Sequence, residues 1–95
     1  MSKTKLDVYY IDAWADCENS WTYNDMWFVK ELTIKGEPTK RKLVNALVRN
    51  ELLKPGIKCE MEECSFDPPI FSIMRADDMM PMYDFHWKQE RSVQR

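Results

Sequence analysis

Residues 26–56 read MWFVKELTIKGEPTKRKLVNALVRNELLKPG, and the hydrophobic period changes once within them. Over Met26 to Lys35 the period is two, with Met26, Phe28, Leu32 and Ile34 on one side, which predicts a strand. Gly36-Glu37-Pro38-Thr39 breaks that pattern, and Thr39 is placed to N-cap a helix whose first residue is Lys40. Leu43, Val44, Leu47, Val48 and Leu52 then recur at spacings of three and four, a single apolar stripe that Pro55-Gly56 ends. A helix with one apolar stripe beside strands with one apolar face is buried by laying it on a sheet.

The flanking sequence supplies the sheet. Upstream, Leu6 to Ala15 (LDVYYIDAWA) alternates, with Leu6, Val8, Tyr10 and Trp14 on one face and Tyr9, Ile11 and Ala13 on the other. Asp12 falls in phase with the apolar set, which predicts a bulge there, a partly exposed face, or a basic partner for its carboxylate. Asp16 to Asp25 (DCENSWTYND) reads as a long polar loop carrying Trp21 and Tyr23, so the first two strands form a hairpin with an aromatic tip. Trp14 and Trp27 are expected to complete the core. Downstream, Ile57, Cys59 and Met61 alternate with Lys58, Glu60 and Glu62, and Asp67-Pro68-Pro69 turns the chain. Ile70 to Arg75 forms the next strand, Ala76-Asp77-Asp78 a turn, and Met80 to Lys88 a last strand with Tyr83, Phe85 and Trp87 on one face. Pro81 cannot donate to a ladder, which puts that strand at an edge or on a bulge. Gln89 to Arg95 is polar and expected to fray. The order ββαβββ predicts an α+β fold, an antiparallel sheet of about five strands with one helix on one face. One domain spanning 1–95 is expected.

The totals narrow the chemistry. A chain of 95 residues, 44% hydrophobic and 13% aromatic, can bury a core without disulfides or a structural metal. Its two glycines are too few for a phosphate-cradling loop, no apolar run is long enough to span a bilayer, and no signal peptide is expected. Three cysteines, Cys17, Cys59 and Cys64, point to reduced thiols in the cytoplasm. Cys59 and Cys64 are five apart, which on one strand places them on opposite faces, unable to share a metal. His86 is the only histidine, which removes most routes to zinc or a triad. A nucleophilic pair of His86 with one of the cysteines is formally open, but no local motif supports it. No catalytic residue, metal site or cofactor is expected.

Charge is laid out in blocks. Residues 1–28 hold two lysines against five acids, 29–58 eight cations against three acids, and 59–85 Arg75 against seven acids. The helix is therefore basic and the sheet acidic. Lys42, Asn45 and Arg49 fall on one line of the helix with Arg41 beside it, a candidate phosphate-binding face. Lys40, Arg41 and Lys42 crowd the positive end of the helix dipole, a choice that phosphates, an acidic partner or the protein's own acidic strands could favour. Glu60, Glu62 and Glu63 with Asp67, and Asp77 and Asp78 with Asp84, form the opposite candidate, an acidic surface for a basic partner. Trp21 and Tyr23 add aromatic contacts of the kind that dominate binding surfaces.

The hairpin carries Ala13-Trp14-x-Asp16 followed by Ser20-Trp21-Thr22-x-Asn24-Asp25-x-Trp27, and the helix starts Pro38-Thr39-Lys40-Arg41. With the terminal meander, this resembles small uncharacterised proteins encoded by phages and prophages of Gram-positive bacteria. The resemblance implies a viral accessory protein of the bacterial cytoplasm, in a class that includes anti-CRISPR and other anti-defence inhibitors that act by binding. The expected partner is a protein engaged through Trp21, Tyr23, Glu60, Glu62, Asp77 and Asp78. Nucleic acid bound by Arg41, Lys42, Asn45 and Arg49 is the alternative, no membrane is expected, and a homodimer through the C-terminal edge strand is a further option.

Overall fold

The computed structural model describes residues 3–17, 20–66 and 68–88. It contains β1 (Lys3–Cys17), β2 (Ser20–Lys35), α1 (Lys40–Arg49), β3 (Cys59–Phe66), β4 (Pro69–Arg75) and β5 (Pro81–Trp87). The fold class and element order match the reading from the period of the chain. All pairings are antiparallel, in the spatial order β2-β1-β5-β4-β3. The chain makes a hairpin, crosses one face of the sheet as α1, and returns as a meander whose last strand docks against the first.

That docking overturns one expectation. The C-terminal strand β5 is interior, flanked by β1 and β4, so it offers no free edge for a dimer. Pro81 is tolerated because it opens the strand and sits where the ladder shifts register, opposite the step between Ile73 and Met74. The edges are β2 and β3.

The core lies between α1 and the sheet. Leu43 and Leu47 of the helix are fully buried against Leu6, Val8, Ile34, Cys59, Phe71, Ile73, Tyr83 and Phe85. Val8, Phe85 and Phe71 are neighbours across three strands, and Phe85 is completely inaccessible. The Tyr83 hydroxyl escapes the cost of burial by donating to the Leu52 carbonyl at 2.7 Å.

Both helix ends have a local cause. Thr39 caps the start, its hydroxyl accepting from the Lys42 amide. Of the three first-turn cations, Lys42 donates to the carbonyls of Lys35 and Glu37, and Lys40 lies 3.8 Å from Glu60. Two of the three thus meet the protein's own acceptors. Gly36 takes a left-handed φ of 71° in that link, and a Cβ there would lie 3.2 Å from Lys42 Nζ. The far end closes sooner than Pro55-Gly56 predicts. Glu51 adopts φ 62°, its amide bonds Val48, and the Leu52 amide reaches back to Leu47. This is a Schellman closure with glutamate in the position glycine favours. Glu51→Gly should therefore stabilise the fold by about 1 kcal/mol in denaturant titration. A loss of stability would show that the Glu51 side chain contributes more than its backbone strain removes.

The hairpin departs most from expectation. Asp16–Asp25 is not a long loop: β1 runs to Cys17 and β2 starts at Ser20. β1 meets β5 only over Leu6–Tyr10, so beyond Ile11 the two strands continue past the sheet as a ribbon. Its register shifts between Val8 and Tyr9, Asp12 and Ala13, and Ala15 and Cys17. The first shift leaves Val29 as an extra residue, so Phe28 pairs with Tyr9 on one face while Leu32 pairs with Leu6 on the other. The single apolar face read over Met26–Ile34 is therefore split in two. Each bulge adds twist, and together they coil the ribbon.

Candidate functional site

Coiling turns one side of this arm back onto the helix-free face of the sheet. The Trp21 indole N–H donates to the Asp78 carbonyl in the β4–β5 turn at 2.9 Å. That turn is braced by Arg75, whose Nε and Nη2 both bond the Asp78 carboxylate at 3.0 and 2.6 Å. Arg75 holds the Asp78 carboxyl below the usual carboxylate range. Two residues expected on a partner surface, Trp21 and Asp78, meet here and tie the arm to the sheet.

Tyr23 lies near the same face, half exposed. Partial burial raises its phenol pKa, the nearby Asp84 carboxylate adds to this, and the Ser72 hydroxyl offsets part of it. Cys64 is raised as well, by burial first and then by Asp84 and Glu62. The helix-free face thus gathers Tyr23, Ser72, Asp84, Cys64 and Glu62. Ser72 and Asp84 are buried, and neither Ser72 Oγ nor Asp84 Oδ1 has a hydrogen bond of good geometry.

Burial pushes the Asp84 carboxyl up, against smaller opposing effects of Ser72 and His86. A carboxyl raised on folding makes the native state bind its proton more tightly than the unfolded chain does. Stability then falls as pH rises from the unfolded value, ~3.9, through the folded one. Asp84→Asn should raise Tm at pH 7 and flatten the acid limb of the stability profile. An unchanged profile would locate that pH dependence elsewhere.

Among the described residues, the exposed large hydrophobics are Tyr10, Trp14, Tyr23, Met26, Trp27, Phe28, Phe66 and Met79, and all but the last two belong to the β1–β2 hairpin, distributed over both of its faces. Trp14 and Trp27, expected in the core, are 51% and 49% exposed: the ribbon carries Trp14 beyond the sheet, and Trp27 stands on the edge strand β2, level with the last β1–β5 pair. Tyr10 and Trp27 stack at 5.7 Å and 13°. On the opposite face Phe28 meets Tyr9 edge-on at 5.7 Å, and Tyr9 lies against His86 at 4.5 Å. Among the described residues Asp12 finds no basic partner: it accepts from Asn24 Nδ2 at 2.9 Å, beside a bulge, and lies opposite Asp25.

The remaining candidates are dispersed. Glu60, Glu62 and Asp77 are exposed, with Glu60 facing Lys40. Lys42, Asn45 and Arg49 line a shallow groove of about 480 Å³ with Thr33, Ile34 and Lys35. Arg41 borders a second groove with Lys40, Lys58 and Glu60, and Asn45 lines both grooves. Cys59 is buried under the helix, Cys17 is on the arm, and Cys64 is on β3, separated by β4 from the strand of His86. The geometry assembles no cysteine–histidine pair.

No protein-family model, curated protein or solved structure matches the chain. Among the described residues no helix is long and apolar enough to cross a membrane, and no group of three metal-ligating side chains converges. The structure defines an α+β sheet-and-helix protein with a protruding aromatic arm.

Proposed function

We propose that the protein acts by binding another protein through the hairpin arm, as a non-enzymatic accessory factor. The observation that carries this is the concentration of exposed aromatic side chains on one two-stranded element. Exposed large apolar side chains gathered on one element of a small chain mark an interaction site, and tryptophan and tyrosine supply large contact areas at low entropic cost. The resemblance to phage and prophage proteins supplies the setting, a viral factor in a bacterial cytoplasm that blocks a host defence complex, of which anti-CRISPR inhibitors are one class. The test is capture from a Gram-positive lysate with wild type and a Trp14→Ala/Trp27→Ala variant. Wild type should retain a specific protein that the variant loses; equal recovery by both would remove the arm from consideration.

A second reading has its own observation: the groove between α1 and β2 is bordered by Lys35, Lys42 and Arg49. Nucleic acid bound there should release with salt, and absence of a mobility shift at low ionic strength would end that reading.

A further inference from the structure

The reading of the arm as a protein-binding element can be taken one step further, to the chemistry of the partner, and the step rests on that reading. Where β1 parts from β5 a cleft of about 200 Å³ opens between the arm and the segment after α1, lined by Tyr10, Ile11, Asp12, Ala13, Leu52, Leu53, Met80, Pro81, Met82 and Tyr83. It is below the roughly 300 Å³ at which sites for small organic ligands begin, and suits a single long side chain. Its walls are mainly apolar, with the Asp12 carboxylate the one charged group and the phenols of Tyr10 and Tyr83 the other polar side chains.

The surroundings specify the sign of what enters. From Leu6 to Val29 the sequence has no basic residue and five acids. Asp12 stands directly across the ladder from Asp25, a like-charged pair that disfavours the ribbon unless a cation comes between them. Asn24 occupies Asp12 Oδ2, and among the described residues no donor reaches Oδ1. Lys54, the nearest cation in sequence to the cleft wall, lines a neighbouring groove that shares Leu52 and Leu53 with the cleft, and it is not among the residues lining the cleft itself. The stacked rings of Tyr10 and Trp27 adjoin the carboxylate pair on one side, and Trp14 lies beyond it on the other. Half-exposed indole and phenol faces attract cations.

We propose that this cleft receives an arginine or lysine side chain of the partner protein. The methylene stem lies along Leu52, Leu53, Met80 and Pro81, and the charged head meets Asp12 and Asp25 beside the aromatic rings. Long cationic side chains have this division between apolar stem and polar head. The same carboxylates repel phosphate, so the arm selects a basic protein surface and excludes nucleic acid.

The test uses the full chain and blocked Gly-Gly-Arg-Gly-Gly, with the citrulline peptide of the same shape as control, followed by amide chemical shifts. The arginine peptide should produce saturable shifts at Tyr10, Asp12, Leu52, Leu53 and Met80. The citrulline peptide should not, and Asp12→Asn should weaken binding about tenfold while preserving the bond from Asn24. Equal binding of both peptides, or no saturable shift, would overturn the cation site. A displayed random-peptide selection on wild type, counter-selected on Trp14→Ala/Trp27→Ala, separates the two levels. Arm-dependent peptides rich in arginine or lysine support both. Arm-dependent peptides without them leave the protein-binding reading and discard the cation, and an absence of arm-dependent peptides discards both.

Discussion

Phe85→Ala is expected to cost about 3–5 kcal/mol, the largest loss available from a single truncation in this chain. Phe85 is fully inaccessible and central in the interior strand, with Val8 beside it on β1 and Phe71 beside it on β4. The cavity left by its ring would border strands paired on both sides, which cannot collapse inward without breaking ladders. For a domain of this size each kcal/mol corresponds to about 4–8 °C in Tm, so the midpoint should fall by at least about 12 °C. Thermal unfolding followed by far-UV circular dichroism measures this. A fall of only a few degrees would mean that the sheet repacks around the gap.

The second large effect should appear in binding and hardly at all in folding. Trp14→Ala together with Trp27→Ala removes two half-exposed indoles from the arm. The stability cost should stay within about 1.5 kcal/mol, mainly through loss of the Tyr10–Trp27 stack. Partner affinity should fall by about 2 kcal/mol or more, roughly thirtyfold, because truncated central aromatics leave desolvated holes in an interface. Calorimetric titration with the captured partner, beside a thermal melt of each protein, separates the two quantities. A variant that melts early and binds normally would reverse the assignment and place both tryptophans in the scaffold.

The period of the sequence was enough for the elements of this fold and too little for their arrangement. Thr39, the stripe through Leu43 and Leu47, and the alternation in β1 and β5 report local geometry, and the structure places these elements where the pattern does. Strand order is not local. Nothing in residues 81–87 says that they pair with residues 6–10 and fill an interior slot; Pro81 argues for an edge until the bulge beside it is seen. The arm was hidden for a related reason. Asp16, Asn24 and Asp25 look like loop residues because they are polar, yet a ribbon beyond its sheet has solvent on both sides and tolerates polar residues throughout. Alternation also cannot show where a strand outruns its neighbour, which is why Trp14 and Trp27 read as core. The early end of α1 depends on a left-handed glutamate, a conformation that a propensity for glycine would not anticipate.

The interior position of β5 also determines how the molecule can be made. On the ribosome the aromatic hairpin and the helix emerge first, while the strand that closes β1 to β4 is the last of the five to be synthesised. Until then β1 has a bare inner edge and α1 has only part of its floor. Contacts between the first and last strands have high sequence separation, so collapse must wait for the late arrival and proceeds slowly. Throughout that interval the nascent chain displays the exposed aromatic side chains of the hairpin beside an unpaired strand. Production should therefore be most vulnerable to aggregation at fast synthesis rates, and a chaperone that shields the hairpin would raise the folded yield without changing the final stability.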